Sequence, residues 1–338
     1  VISELDISCS QEIKRLREKI ISGSDISRSE ALFLAESSGL NLLDLLSSAN
    51  HLRELYSGKH IDLCAIINAK SGACSEDCSY CAQSSKNKAQ IPVYPLMSND
   101  CIIEKAEEAK RGWVSRFSIV TSGRKVNQKE LKVIASILND IRNMGLTPCA
   151  SLGMLSRDEL NFLKDSGLDR YHHNIETSES FYPNICSTHT YSERIRTIES
   201  AQACGLSVCS GGILGMGETW QDRIEMAFAL KELNVDSTPI NFLIPIEGTP
   251  LFGRDLLHPF DALRIISLFR FILPDKSIRI CGGRVQVLRE FHSLIFMAGA
   301  DSILTGNYLT TTGRTFQNDI ELVRLHGLVS TSLNITKG

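Results

Sequence analysis

Three cysteines lie within eight residues in the polar stretch SGACSEDCSYCAQSS, at Cys74, Cys78 and Cys81, with the spacing Cys-x3-Cys-x2-Cys. A structural zinc ion takes four protein ligands, usually from paired Cys-x-x-Cys units, and the 338 residues contain no second pair. Three thiolates suit a cubane four-iron four-sulfur cluster instead: each holds one iron, and the fourth iron stays open to an outside ligand. An open iron implies that something binds there.

The elements that must position this loop are legible around it. From residue 60 onward, β-branched runs alternate with amphipathic helical stretches, and eight runs can be counted: 62–68, 116–121, 147–152, 170–176, 206–212, 237–243, 277–282 and 301–306. Eight strands separated by helices predict an α/β fold, a (β/α)8 TIM-type barrel with an N-terminal helical extension. A doubly wound open sheet is the competing architecture, but a phosphate-binding fingerprint would then follow the first strand, where the cysteine loop stands. In a barrel that loop falls on the C-terminal face, where such enzymes place their chemistry.

Residues 1–58 read as the helical extension, with a capping-box start at SRSEALFLAESSG and glycine stops at Gly23, Gly39 and Gly58. Residues 59–315 form the expected barrel, and 316–338 a last amphipathic helix with a polar tail. A net charge of −3 gives no reason to expect nucleic acid or an anionic membrane as partner. No apolar run reaches the length of a signal-peptide core or a membrane span, so a soluble cytoplasmic protein is expected. Eleven cysteines, an odd number spread along the chain, favour metal binding or catalysis over a disulfide framework.

The cysteine spacing, with Tyr80 before the last thiol, resembles that of the radical S-adenosylmethionine enzymes. The stretches YHHNIETSESFYPNI, TYSERIRTIESAQACGLSVCSGGILGMGET, INFLIPIEGTPL, IRICGGR and MAGADSILTGNYLTTTG, in that order, are similar to those of the biotin synthase family over roughly residues 40 to 325. The resemblance implies a 4Fe-4S cluster on Cys74, Cys78 and Cys81 whose open iron is chelated by S-adenosyl-L-methionine. One electron then yields a 5′-deoxyadenosyl radical, and the reaction is sulfur insertion into dethiobiotin from a second, auxiliary iron–sulfur cluster deep in the barrel.

By position, the resemblance places Glu176 on the ribose of S-adenosylmethionine and Arg194 on its carboxylate, with Tyr80, Thr121, Asn174 and Ile213 also in the cofactor pocket. The family has aspartate where this chain has Glu176. Asn174 and Asn241 would hold the ureido ring of dethiobiotin, and Thr311 and Thr312 its carboxylate. GGILGMGE (211–218) lacks the third glycine of a dinucleotide loop and reads as a close-packing turn beneath the adenine. A flavodoxin- or ferredoxin-type reductant and a homodimer are implied by the resemblance alone.

The inner cluster is where this chain departs from the family, whose two-iron (2Fe-2S) centre uses three cysteines and an arginine. Cys149, Cys209 and Arg279 match three of these catalytic ligands, but the remaining position is Ser118, and a serine hydroxyl is far harder to deprotonate than a thiol. Cys64, Cys149, Cys209 and Cys281 fall on the first, third, fifth and seventh predicted strands, and alternate strands of a barrel can aim side chains at one layer. These four are expected to hold a four-iron auxiliary cluster, with an extra sulfide for donation and Arg279 as a hydrogen-bonding neighbour. Cys186 is a fifth candidate, and Cys9, Cys101 and Cys204 are assigned no chemistry. Such centres are oxygen-labile, so an anaerobic host is expected. The competing functions are a hydrogenase-maturase-like or methylornithine-synthase-like radical enzyme and, outside catalysis, an iron–sulfur carrier.

Overall fold

Odd and even residues differ in kind along the first predicted run: Asp62, Cys64, Ile66 and Asn68 alternate with Leu63, Ala65 and Ile67. Successive side chains of a strand point to opposite faces, so the polar set and the apolar set must meet different surroundings. The computed structural model, which describes residues 4–309 and 313–332, separates them as barrel interior and helix-facing exterior.

Nine parallel strands build the barrel: β1 (His60–Lys70), β2 (Arg116–Thr121), β3 (Thr147–Ser151), β4 (Arg170–His172), β5 (Ser207–Cys209), β6 (Gly212–Leu214), β7 (Ser237–Phe242), β8 (Ser277–Ile280) and β9 (Ser302–Leu304). β5 and β6 are one stave interrupted at Ser210–Gly211, so the predicted continuous run 206–212 is corrected to two short strands. The cause is steric. A Cβ on Gly211 would come within 2.0 Å of the Pro239 carbonyl oxygen, and one on Gly212 within 2.1 Å of the Glu176 carbonyl oxygen. The backbone here is squeezed between its neighbours and leaves the ladder for two residues. The sheet closes where β9 pairs with β1, Asp62 opposite Ser302 and Cys64 opposite Leu304.

The helices are α1 (Glu4–Ile21), α2 (Arg28–Ala35), α3 (Gly39–Ser57), α4 (Asn99–Arg111), α5 (Gln128–Asn143), α6 (Arg157–Asp165), α7 (Tyr191–Ala203), α8 (Trp220–Glu232), α9 (Pro259–Ile272), α10 (Arg284–Leu288) and α11 (Phe316–Leu325). α5, α6, α7 and α8 each begin with a reciprocal capping box, set by Asn127/Glu130, Ser156/Glu159, Thr190/Glu193 and Thr219/Asp222. These boxes satisfy the first free N–H groups of each helix and fix where the loops at the barrel mouth end. The extension lies outside the barrel, α3 against α9 and α2 against α8 and α9.

Past α11 the chain forms a strand the sequence pattern did not signal, β10 (Val329–Ser330), which pairs with His60 and Ile61 at the start of β1. Among the described residues, no helix is long and apolar enough to cross a membrane.

Two fully buried guanidiniums tie the C-terminal helices to the barrel. Arg270 bonds Asp301 at 3.0 Å, and Arg284 bonds Asp319 at 2.5 Å with both side chains fully enclosed. Asp319→Ala would strand the Arg284 cation without a counter-charge, and the expected loss is about 3–5 kcal/mol. Chemical denaturation of the variant beside the parent chain measures it.

Candidate active site

The register brings the inward-facing residues to common levels. Ser118 lies opposite Cys149, His172 opposite Cys209, and Arg279 opposite Ser302, which in turn lies opposite Asp62. At the deeper level stands a charged floor: the half-buried Asp62 carboxylate accepts from Arg279 at 2.8 Å and from Arg116 at 3.1 Å. Arg279 also donates to Ser302 Oγ, and Arg170 to Ser207 Oγ. Burial alone would raise the Asp62 carboxyl, but the two guanidiniums hold it below the usual aspartate range.

Beside the floor lie the thiols of Cys64, Cys149, Cys209 and Cys281, all buried, with Cys64 opposite Arg116 and Cys149 opposite Arg170 in the register. Arg279 Nη1 donates to Cys209 Sγ at 3.5 Å, and Cys64 packs with Cys281 and Leu304. Burial pushes the Cys149 thiol up to about 12, with Cys64 adding to it and Arg116, Arg170 and Arg279 opposing. Burial likewise raises Cys64 and Cys281 against the pull of Arg279. Ser118 is fully enclosed at this level, its Oγ 3.4 Å from His172 Nδ1. Burial, then the guanidiniums of Arg279, Arg170 and Arg116, keep His172 well below its ordinary range and neutral.

The loop after β1 is held by its own backbone. Cys74 N–H donates to Gln83 O, Ser85 N–H to Cys74 O, and Asn87 Nδ2 to the carbonyls of Cys78 and Cys81. Gly72 and Ala73, at φ +71° and +50°, turn the chain out of β1. Cys74, Cys78 and Cys81 face a cavity of about 300 Å³ whose far wall includes Cys64, Cys209, Cys281 and Arg279. Burial raises Cys81 to about 11. Cys186, a fifth candidate for the inner set, lies elsewhere: its Sγ is 3.8 Å from Cys78 Sγ, at the mouth. The Cys78 thiol donating to it, then His189 against the opposing effect of burial, draws Cys186 down to about 4.

Glu176, at φ +74°, ends the extension of β4. Its carboxylate accepts from Asn174 Nδ2 at 3.3 Å and lies 3.6 Å from Arg194, while burial raises its carboxyl against the pull of Arg194. Arg194 is fixed by Tyr182 Oη, Asn174 O and His189 Nε2. Asn241 donates to Gly212 O and accepts from Gly282 N–H. Tyr80 and Ile213 pack with Cys78, Cys81 and Met216, and Thr121 lines the cavity. In the 211–218 turn, Glu218 accepts from the N–H groups of Gly215 and Met216 and is braced by Arg223. Thr311 and Thr312 lie outside the described residues.

Among the cavity residues that escaped the sequence reading are His172, His173, His189, Glu76 and Arg124. His189 follows Cys186 by three residues, and Glu76 is one of the acids between Cys74 and Cys78; their nearness needed the fold.

The donor set fits the group it would have to hold. Three thiols converge at the mouth, and Thr121 Oγ1, His172 Nε2 and His173 Nε2 are buried beside the cavity without a protein partner. A closed (β/α)8 barrel with three cysteines after its first strand is the architecture of the radical S-adenosylmethionine enzymes. A sequence profile for the Radical SAM superfamily matches residues 69–230, and one for the Biotin and Thiamin Synthesis associated domain matches 239–329.

The chain is 57% identical to the biotin synthase of Thermodesulfovibrio yellowstonii over 85% of its own length and 91% of that protein. It is 45% identical to the biotin synthase of Pelotomaculum thermopropionicum over 91% and 96%. The chain belongs to the biotin synthase family, a family of radical enzymes that use a four-iron four-sulfur cluster and S-adenosylmethionine. Solved structures of similar fold include methylornithine synthase (TM-score 0.82, 19% identity, covering 95% of this chain and 99% of that one). An FeFe-hydrogenase maturase from Carboxydothermus hydrogenoformans also matches (TM-score 0.79, 18% identity, 95% and 79%). At these identities the likeness is one of fold.

The enclosure of the inner thiols has a direct readout. In cluster-free protein at pH 8, a disulfide dye should titrate exposed Cys101 first, with Cys149 reacting about 10³-fold more slowly because its thiolate fraction is so small. Stopped-flow and manual mixing followed by peptide mapping give the order.

Proposed function

We propose that this enzyme converts dethiobiotin to biotin with sulfur drawn from an auxiliary cluster of the four-iron type, held by Cys64, Cys149, Cys209 and Cys281. When bound, the loop cluster and S-adenosylmethionine supply homolytic hydrogen abstraction from unactivated carbon, and the auxiliary cluster supplies the sulfur. The observation that carries this reading is the single cavity walled at the mouth by Cys74, Cys78 and Cys81 and at the depth by Cys64, Cys209 and Cys281. A substrate lying between them reaches both.

The other residues have roles that follow from what already holds them. Cys74, Cys78 and Cys81 ligate the loop cluster. Arg194 and Glu176 bind the carboxylate and ribose of S-adenosylmethionine, with Tyr80, Thr121, Asn174 and Ile213 completing that pocket. Asn241 has one amide N–H and one carbonyl lone pair committed to the backbone, leaving one of each to face the cyclic urea of dethiobiotin; Asn174, anchored by Gly211 N–H and Glu176, does the same. Thr311 and Thr312 take the substrate carboxylate.

Arg279 has its Nη2 on Asp62 and its Nε on Ser302, so its Nη1 is the atom turned toward Cys209. It acts as a hydrogen-bond donor to the cluster edge and tunes its charge. Ser118, hydrogen-bonded to His172, is not a ligand. A flavodoxin- or ferredoxin-type reductant, a homodimeric assembly and a cytoplasmic setting complete the reading.

Anaerobic iron and sulfide analysis with Mössbauer spectra tests it: two four-iron clusters give about eight irons per chain, with the loss on turnover confined to one of them. About six irons with a two-iron signature would overturn the four-iron assignment. Cys281→Ala is expected to abolish biotin formation while S-adenosylmethionine cleavage continues; an unchanged biotin yield would remove Cys281 from the site.

A further inference from the structure

Cys186 has no part in either cluster as assigned above, yet it is buried among groups that bind metals. Its Sγ is 3.8 Å from Cys78 Sγ, 3.2 Å from His189 Nδ1 and 3.8 Å from His189 Nε2. The ligand atoms of Cys78, Cys186 and His189 lie within 4.8 Å of one another, and among the described residues this is the one His/Cys/Asp/Glu group so close. Tetrahedral zinc with Zn–S bonds of about 2.3 Å requires sulfurs about 3.8 Å apart, and with Zn–N of about 2.0 Å an S···N edge of about 3.5 Å. The two sulfurs already stand at that separation.

The histidine is prepared as well. Arg194 has only N–H groups to offer, so the His189 Nε2 it touches at 2.9 Å carries a lone pair, and the proton is on Nδ1, donated to Glu76 Oε2 at 2.6 Å. Glu76 orients the imidazole through Nδ1, the usual second layer of a histidine–metal bond. The ion takes the Nε2 lone pair in place of the Arg194 N–H, which must turn away while Arg194 keeps Tyr182 and Asn174. The two loops that carry the ligands are fixed to each other without any ion, because Asp77 Oδ1 accepts from the N–H groups of Ser187 and Thr188. The same Asp77 Oδ1 accepts from the Cys186 thiol at 3.2 Å, so binding an ion there displaces that proton.

We propose that in the cluster-free chain Cys78, Cys186 and His189 hold a single divalent ion of the zinc or ferrous type, in competition with the loop cluster for Cys78. Two thiolates and an imidazole select such ions over magnesium or calcium, which prefer oxygen ligands. One thiol cannot serve both sites, so the ion must leave before the cluster is complete. The inference rests on the reading of Cys78 as a cluster ligand only for this competition; the ion site itself stands on its own geometry.

The test uses the full-length chain, stripped of clusters and kept reduced and anaerobic, in a Cys149→Ala/Cys209→Ala background that breaks up the inner thiol set. Cobalt(II) is titrated in and displaced with zinc, with circular dichroism confirming that every variant is folded. The expected result is one equivalent of tetrahedral cobalt with a thiolate charge-transfer band. Cys186→Ala and Cys186→Ser should each weaken binding by at least about tenfold, while Cys81→Ala leaves it unchanged. Loss in Cys81→Ala with retention in the Cys186 variants would put the ion on the loop triad and overturn the proposal, as would no binding at all. Zinc added ahead of iron and sulfide should slow loading of the loop cluster in the background protein and not in Cys186→Ala; equal slowing in both would overturn the competition and leave the ion site to the cobalt result.

Discussion

The half-buried carboxylate of Asp62, shared between Arg279 and Arg116, is the interaction on which the interior of this barrel depends. Removing guanidiniums from water is expensive unless they are paired and hydrogen-bonded. Here Arg279 and Arg116 share the Asp62 carboxylate, Arg116 also reaches Asp169 at 3.3 Å, and a third, Arg170, donates to the neutral Ser207 hydroxyl. The floor is therefore electropositive, and the four buried thiols lie beside it. Burial raises the Cys64, Cys149 and Cys281 thiols, so they add no negative charge of their own to the balance that Asp62 begins.

That floor also fixes geometry. Arg279 is held at Nη2 by Asp62 and at Nε by Ser302, both on strands that meet at the closure of the barrel. Its remaining edge can only point upward, toward Cys209. At the opposite end of the cavity, the turns of the loop after β1 and the Asp77 clasp place the other thiols independently of the floor. The two thiol groups are thus built by separate networks on one scaffold. The distance between them is set by the barrel and by neither network alone.

Much of this was readable in the residues. The eight runs correspond to the eight staves, and the alternation is clearest in the first, where Asp62, Cys64, Ile66 and Asn68 alternate with Leu63, Ala65 and Ile67. Their places on the odd-numbered runs grouped Cys64, Cys149, Cys209 and Cys281, since alternate strands of a barrel share a layer. What escaped had non-local causes. The break in the fifth stave is imposed by the Pro239 and Glu176 carbonyls from adjacent strands. β10 is two residues long and owes its existence to the unpaired edge at the start of β1. Cys186 was a candidate for the inner set, but only the packing of the loop at 185–190 against the loop after β1 brings it and His189 to Cys78. Ser118 looked like a missing ligand; in the fold it has a partner of its own in His172.

β1 is bordered by β2 on one side and, on the other, by β9 and β10, whose residues are made some 240 to 270 positions later (Asp62 to Ser302, His60 to Val329). Closing so long a loop is slow, and the pairing cannot start until the last of those residues has emerged. The deep thiols span the same range, from Cys64 to Cys281. During synthesis the early cysteines therefore spend their time apart and in an open sheet, and the pocket that collects them exists only in the finished chain. Any chemistry that needs the deep thiols together is in this sense a post-translational event, timed by topology.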